Sequence, residues 1–369
     1  MAEQTRRACV AEIVTGTQRL GSHVDFFQQL GVAGSAAVLL AAGIVIRYCG
    51  VWLTVRAETL ARITGLGQAL LGAVFLGAIT SLAGTVTSVS AALGGHAELA
   101  FGNAVGGIAA QTTFLVIADF LYRRANLEHA AASEANLMQG ALLVVMLAIP
   151  LAAIGLPALT FWSIDVISIV LVFTYVFGVR LVSRAHHTPM WNPRQTSDTQ
   201  DPERTDSTRE ERDSVVRLWA SFLALAAVVA VAGWFVAKAG LGLVESAGLS
   251  ETVVGTLLTS VTTSIPELVI AITAVRRGAL TLAVGDILGG NSFDVLFLVL
   301  SDIAYRDGSI YQAVSTAQSS WLAIGILLTG ILLMGFVRRE RHGPGNVGFE
   351  GVLVLSIYGC AVVATIAGA

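Results

Sequence analysis

Charged residues are scarce in this chain of 369 residues: they make up 13% of it, whereas hydrophobic residues make up 55% and the mean hydropathy is +0.75. That composition excludes an ordinary soluble globular protein. Apolar runs recur along the whole chain, and each is long enough to cross the roughly 30 Å of hydrocarbon in a bilayer. The sequence therefore predicts an all-α polytopic protein embedded in the lipid bilayer.

Residues that would mark other functions are also few. The three cysteines, Cys9, Cys49 and Cys360, form no metal-ligand spacing and no obvious pairs. The net charge is -3, and no basic tract indicates a nucleic-acid partner. The chain has no phosphate-binding loop, no nucleophile with a suitable partner and no nucleotide domain. We therefore expect neither an enzyme nor a bound cofactor, and no nucleic-acid partner.

The apolar runs predict ten transmembrane helices, which fall into two groups of five. Residues 1–31 form an N-terminal segment without the features of a signal peptide. Residues 184–213 are rich in charge, Ser, Thr and Pro, which predicts a disordered linker between the first group, 32–183, and the second, 214–369. The predicted spans are 32–53, 63–92, 98–122, 136–156, 161–183, 214–238, 248–275, 280–304, 318–337 and 348–368.

The distribution of basic residues predicts the orientation of these spans. The connections after the odd-numbered spans, with the adjoining helix ends, carry 17 of the 22 basic residues. Because basic residues are retained on the cytoplasmic side, the linker 184–213 is predicted to be cytoplasmic and both termini to lie outside. The expected location is the cell membrane.

Carboxylates interrupt two apolar helices between residues 261 and 294. Glu267 follows Pro266, and Asp286 and Asp294 lie in the next apolar run. An acid at membrane depth is costly and persists mainly where it faces a cavity, an ion or a partner, and a proline frees backbone carbonyls. Such oxygens are the ligands that a hard cation prefers, so the segment predicts a cation site.

We rank the candidate ligands of this segment by their position. Glu267 is the first candidate and Asp294 the second; the alternative for both is a carboxylate that is protonated or hydrogen-bonded inside the bundle without touching an ion. Thr263 and Ser264 precede Glu267 by one helical turn and share its face. Asp286 is either a ligand or a residue of an aqueous path. Asn291 completes the candidates of this segment.

The chain matches itself without a gap when it is displaced by 183 residues. The two copies start in the second and the seventh span, five spans apart, and an odd number of crossings makes the copies run in opposite directions through the bilayer. Inverted repeats with interrupted helices are typical of secondary transporters that alternate access around a central site. The matching pairs include Thr80-Ser81 with Thr263-Ser264, Gly102 with Gly285, Gly106-Gly107 with Gly289-Gly290, and Asp119 with Asp302.

The match adds four candidate residues from the first copy. Thr80 and Ser81 offer hydroxyl and carbonyl oxygens at the positions of Thr263 and Ser264, with ordinary helix packing as the alternative. Asn103 and Gln111 carry amide oxygens that could orient ligands or bind ions, and Gln111 occupies the position of Asp294 in the first copy.

Residues 263–268 (TSIPEL) and 285–294 (GDILGGNSFD) resemble the second repeat of the cation/Ca²⁺ exchanger superfamily, the Na⁺/Ca²⁺ exchangers and their relatives. The resemblance implies ten helices, cation antiport and two glutamates that face each other across the site. The first repeat departs from that pattern, because Ala83-Gly84 stands in place of Pro-Glu and Ile108 in place of the second asparagine. Asp286 replaces an asparagine of the second repeat.

The sequence thus predicts a secondary active cation antiporter of the Na⁺/Ca²⁺-exchanger type, whose partners are inorganic cations. Glu267 and Asp294 supply at most two negative charges, which suit one Ca²⁺. We therefore expect exchange against few Na⁺ ions, or against a proton taken up by Glu267. The departures in the first repeat favour an alternative: a degenerate member that binds a cation without transport, as a sensor or assembly subunit. A passive channel is a third hypothesis.

Overall fold

The computed structural model describes residues 30–64, 77–122, 126–191, 215–340 and 348–368. Most of the predicted N-terminal segment, most of the predicted linker 184–213 and residues 65–76 of the predicted second span lie outside these ranges. In the described ranges the chain is almost entirely helical, as the sequence predicts.

Besides the helical residues 77–80 and the short 3-10 helix Ile310–Gln312, thirteen helices follow one another along the described ranges. In chain order they are α1 (Gly31–Thr64), α2 (Leu82–Leu93), α3 (Ala97–Asp119), α4 (Leu127–Ala131), α5 (Glu134–Ile154), α6 (Val166–His187), α7 (Val215–Ala247), α8 (Glu251–Thr263), α9 (Ile265–Arg276), α10 (Leu280–Asp294), α11 (Leu296–Ala304), α12 (Thr316–Arg338) and α13 (Phe349–Ala367).

Among the described residues, eight helical stretches are long and apolar enough to cross a membrane, and the bent pair α8–α9 makes a ninth when it is taken as one span. The predicted second span appears only in its later part, as the twelve-residue apolar helix α2. The helices α10 and α11, separated only at Val295, together form one of the eight stretches.

The predicted fifth span, 161–183, begins later than the sequence suggested. A short antiparallel hairpin of β1 (Thr160–Phe161) and β2 (Ile164–Asp165) precedes α6. Its two turn residues, Trp162 and Ser163, have φ angles of 54° and 63°, which a helix excludes. The Asp165 carboxylate then caps α6 by accepting a hydrogen bond from the Ile167 amide at 3.0 Å. At its other end α6 continues to His187, beyond the predicted start of the linker.

Helix α3 lies at the centre of the bundle. Its hydrophobic stretch is 94% buried, compared with 22% for α13 and 28% for α6 at the periphery. Small residues allow this burial because they let helix backbones approach closely. At Gly106 an added Cβ atom would lie 2.5 Å from the Thr256 Cα atom of α8, so only glycine fits there.

Two helix interruptions face this central helix. Ser264 separates α8 from α9 with φ −93° and ψ 6°, and the two helices bend by 46° there, with Pro266 in the first turn of α9. Ser81 interrupts the chain before α2 in nearly the same conformation, φ −88° and ψ 12°. An interruption of this kind places polar side chains and backbone groups at the middle of the bundle, where α3 meets them.

Candidate cation-binding site

The two interruptions, together with α3, α10 and α11, enclose a small polar cavity. Its volume is about 10 Å³, room for about one water-sized sphere. The residues that line it are Ser81, Gly84, Asn103, Gly107, Gln111, Thr263, Ser264, Glu267, Asp294 and Phe297. Seven of these are candidates from the sequence: Ser81, Asn103, Gln111, Thr263, Ser264, Glu267 and Asp294.

Two carboxylates supply the charge of this cavity. Glu267 in the first turn of α9 is 5% exposed, and Asp294 at the end of α10 is 2% exposed. Among the described residues, no lysine or arginine lines the cavity. A buried carboxylate without a cation beside it is strongly disfavoured, so this arrangement calls for a positive partner or for protons.

Gln111 joins the two sides of the cavity. Its Nε2 atom donates to Asp294 Oδ2 at 2.7 Å and to Ser264 Oγ at 3.1 Å. Since an amide nitrogen has two protons, both contacts are satisfied at once and the side chain is fixed. Gln111 Oε1 is thereby turned away from these partners and remains available as an acceptor.

Four oxygen atoms of the lining have no hydrogen-bond partner in the described part of the chain: Ser81 Oγ, Gln111 Oε1, Glu267 Oε2 and Asp294 Oδ1. Buried polar atoms are nearly always satisfied in native proteins, so four unpaired oxygens around one cavity indicate a missing partner. Two of the four belong to carboxylates, one to an amide and one to a hydroxyl, and oxygens of these kinds are the ligands of Ca²⁺ and other hard cations. The residues present therefore fit a cation as cargo.

Asn103 lines the cavity but serves mainly to hold helices together. Its Nδ2 atom donates to Ser88 Oγ at 2.9 Å and to the Gly84 carbonyl at 3.1 Å in α2. Its Oδ1 atom accepts a hydrogen bond from Thr259 Oγ1 of α8 at 3.0 Å. Because both ends of the amide are engaged, Asn103 positions α2 and α8 against α3.

Three candidates from the sequence do not line this cavity. Thr80 donates its hydroxyl to the Gly77 carbonyl at 3.1 Å, within its own chain segment. Asn291 is buried between α10 and α3, where its Nδ2 atom donates to Thr112 Oγ1 at 3.0 Å. Asp286 is exposed and lies about two helical turns before Asp294, too far along α10 to share its ligand.

Sequence reasoning missed Phe297 and did not place Gly84 and Gly107 in the lining. The signal for Phe297 is its spacing, because it follows Asp294 by three residues and so shares its helical face. Gly107 brings the α3 backbone close to Ser264, whose Oγ atom would lie 3.4 Å from an added Cβ.

Solved structures share this fold. The sodium-calcium exchanger NCX_Mj, in crystals soaked with 100 mM Na⁺ and 10 mM Sr²⁺, matches with a TM-score of 0.54 and 17% identity over 90% of this chain and 98% of that chain. The H⁺/Ca²⁺ exchanger CAX matches with a TM-score of 0.63 and 12% identity over 90% of this chain and 85% of that chain. At such identities the likeness establishes the fold.

Sequence comparison extends the likeness to the family. The sodium/calcium exchanger MaX1 of Methanosarcina acetivorans is 30% identical over 137 residues, which span 37% of this chain and 37% of that relative. The model of the sodium/calcium exchanger protein family matches residues 34–183 and again 217–367, which together cover most of the chain. This integral membrane protein therefore belongs to the sodium/calcium exchanger protein family.

Proposed function

We propose that this chain is a secondary active antiporter that exchanges Ca²⁺ for Na⁺ or H⁺ across the membrane. The observation that carries the proposal is the buried cavity in which Glu267 Oε2, Asp294 Oδ1 and Gln111 Oε1 lack partners among the described residues. Two carboxylates balance the charge of one Ca²⁺, and the coupling ions compete for the same oxygens. The sodium/calcium and H⁺/Ca²⁺ exchangers that resemble the chain support this choice of ions.

Contacts between equivalent residues support two inverted five-helix repeats, 32–183 and 214–369. Gln111 and Asp294 are separated by 183 residues and hydrogen-bond to each other. Asn291 and Ile108 are also separated by 183 residues, and Asn291 Nδ2 donates to the Ile108 carbonyl at 3.4 Å. Residues that are equivalent in two copies meet only close to the axis that relates the copies. We place the cavity on that axis, where alternating access requires the site to be.

A second pair of contacts follows the same register. Asp119 Oδ1 accepts a hydrogen bond from the Leu127 amide at 2.7 Å, and Asp302 Oδ1 accepts one from the Ile310 amide at 3.1 Å. In each copy the acid lies near the end of a helix and accepts a hydrogen bond from the backbone amide eight residues later. Asp302 Oδ2 also accepts from the Asp165 amide and from Ser168 Oγ, both at 2.7 Å. These acids fix helix ends and lie outside the cavity.

In the proposed cycle the cavity opens to one side of the membrane at a time. The described lining residues are buried, and we assign this conformation to the occluded stage of the cycle. The interruptions at Ser81 and Ser264 lack regular helical geometry and are the points at which α2 and α9 would move relative to α3. In our proposal both termini lie outside and the linker 184–213 lies in the cytoplasm of a cell-membrane protein.

Ion flux in proteoliposomes tests the proposal. We expect ⁴⁵Ca²⁺ uptake that depends on an opposing Na⁺ or proton gradient, and loss of at least 90% of that uptake in Glu267→Gln and in Asp294→Asn. Asp307→Asn is the matched control, because this exposed acid outside the cavity loses the same charge. Equal uptake by the wild type and by Glu267→Gln would contradict the proposal, and uptake without any counter-ion dependence would indicate a passive channel instead.

One observation favours a second candidate, a member that binds a cation without transport and acts as a sensor or assembly subunit. Gly84 stands where the 183-residue register places the equivalent of Glu267, so one acid of a symmetric pair is absent. Binding of ⁴⁵Ca²⁺ by the purified protein, combined with no flux under any gradient, would favour this candidate.

A further inference from the structure

The cavity is asymmetric with respect to the two copies of the chain. Gly84 and Glu267 are equivalent in the 183-residue register, and both line the cavity. Glu267 contributes a carboxylate, whereas Gly84 contributes only backbone. The Gly84 carbonyl is already an acceptor for Asn103 Nδ2 at 3.1 Å. Position 267 therefore supplies the cavity with an acid and an unpaired oxygen. Its equivalent, position 84, supplies neither.

The ring of Phe297 occupies the space beside Gly84. A Cβ atom added to Gly84 would lie 3.1 Å from Phe297 Cζ and only 2.7 Å from Cε2, and the second distance is shorter than real Cβ contacts. Phe297 is 3% exposed, and its ring packs edge-on against Phe293 with centroids 6.4 Å apart. Phe293 in turn packs edge-on against Tyr175 at 6.0 Å. This row of aromatic rings holds Phe297 in place against α2.

From these contacts, and resting on the antiport function proposed above, we infer that Phe297 is a specificity-determining residue that limits the cavity to one cation position, between Glu267 and Asp294. A second cation would have to lie on the Gly84 side. There it would meet an aromatic ring edge, which repels cations, and only uncharged oxygens: the Asn103 oxygen, which already accepts a hydrogen bond from Thr259, and the Ser81 hydroxyl. The chain thus binds one divalent cation, and no second ion beside it.

A thermal double-mutant cycle tests the steric part of this inference in cation-free buffer, with the full chain in detergent. Gly84→Ala should lower the midpoint of unfolding by several degrees in the wild type, because the new methyl group meets the ring. In a Phe297→Ala background the same change should cost less than half as much. Phe114→Ala is the matched background, since Phe114 is the buried equivalent of Phe297 in α3 and does not line the cavity. An equal cost of Gly84→Ala in all three backgrounds would overturn the inference.

Equilibrium binding tests the functional part. Calcium titration of the wild type, followed by calorimetry and by ⁴⁵Ca²⁺ dialysis, should give one Ca²⁺ per chain and a Hill coefficient of one. The double variant Gly84→Glu with Phe297→Ala gains both an acid and the space for it, and it should bind a second cation, seen as a second Ca²⁺ or as ²²Na⁺ bound together with Ca²⁺. The matched comparison is Gly84→Glu with Phe114→Ala, which keeps the blocking ring and should not bind a second ion.

The outcomes separate this inference from the proposed function. A wild type that binds two or more Ca²⁺, or a Phe297 double variant that stays at one cation although it folds, would overturn the role of Phe297 and leave antiport intact. One bound Ca²⁺ without coupled flux would refute the antiporter and leave the single-cation site standing. A wild type that binds no Ca²⁺ would overturn both.

Discussion

The close contact between α3 and α8 leads to a sharp prediction at Gly106. An added Cβ atom would lie 2.5 Å from Thr256 Cα and 2.7 Å from the Thr256 carbonyl carbon, whereas ordinary contacts begin near 3.4 Å. The contacting atoms are backbone, so no side chain can rotate away and the helices must separate by about 1 Å. Overpacking of this kind costs about 3 kcal/mol.

The same substitution has a benefit that must be subtracted. Alanine is favoured over glycine inside a helix by about 1 kcal/mol. The net loss for Gly106→Ala is therefore about 2 kcal/mol, which corresponds to a midpoint of thermal unfolding lower by roughly 4 °C. The assay is thermal unfolding of the purified protein in detergent, followed by tryptophan fluorescence or by scanning calorimetry.

Gly289 provides the matched control, because it is the equivalent of Gly106 in the second copy. An added Cβ atom at Gly289 meets nothing within 4 Å. Gly289→Ala should therefore leave the unfolding midpoint unchanged or raise it by roughly 2 °C through helix propensity alone. If both substitutions shifted the midpoint equally, the argument that backbone contact selects glycine at Gly106 would be refuted.

Three further predictions concern Asn103, which lines the cavity, and two acids outside it, Asp302 and Glu128. Asn103→Ala should lower the free energy of unfolding by about 2 kcal/mol, because its buried partners in α2 and α8 lose their hydrogen bonds; chemical denaturation measures the loss. Asp302→Asn should cost about 2 kcal/mol, since an amide nitrogen replaces an acceptor oxygen that faces donors, while the dissociation constant for Ca²⁺ stays unchanged in a calcium titration. Burial first, and then the charges of Asp119 and Glu350, raise the pKa of Glu128 well above 4.5. The folded state therefore binds the Glu128 proton more tightly than the unfolded state does. The neutral carboxyl group is tolerated at acid pH, and the folded state loses stability relative to the unfolded state as the pH rises. Glu128→Gln should raise the unfolding midpoint more at pH 8 than at pH 5, and an equal change at both would contradict this.

Several features could be predicted because they are local properties of the chain. The apolar runs specify membrane helices, since in hydrocarbon every backbone group must be satisfied within the helix. Glu267 and Asp294 stood out as carboxylates inside such runs, and both line the cavity. The register of 183 residues predicted that Gln111 corresponds to Asp294, and the structure adds that these two equivalent residues touch.

Other features depend on how helices are placed relative to one another. Asp286 and Asn291 carry the same chemistry as the true lining residues, but their positions on α10 direct them away from the cavity. Thr263 lines the cavity while its equivalent Thr80 does not. A sequence pattern records residue type and spacing but not the direction of a side chain. It therefore predicts Asp286, Asn291 and Thr80 as ligands together with the residues that do line the cavity.

The amino-acid sequence by itself determined that this is a helical membrane protein with an internal repeat and a pair of acids suited to a cation, because hydropathy, spacing and buried charge are written along the chain. Only the tertiary structure decided which oxygens share one cavity, and that the ring of Phe297 stands against Gly84. The distance between α2 and α11 is set by the packing of the whole bundle, and no local stretch of sequence contains it.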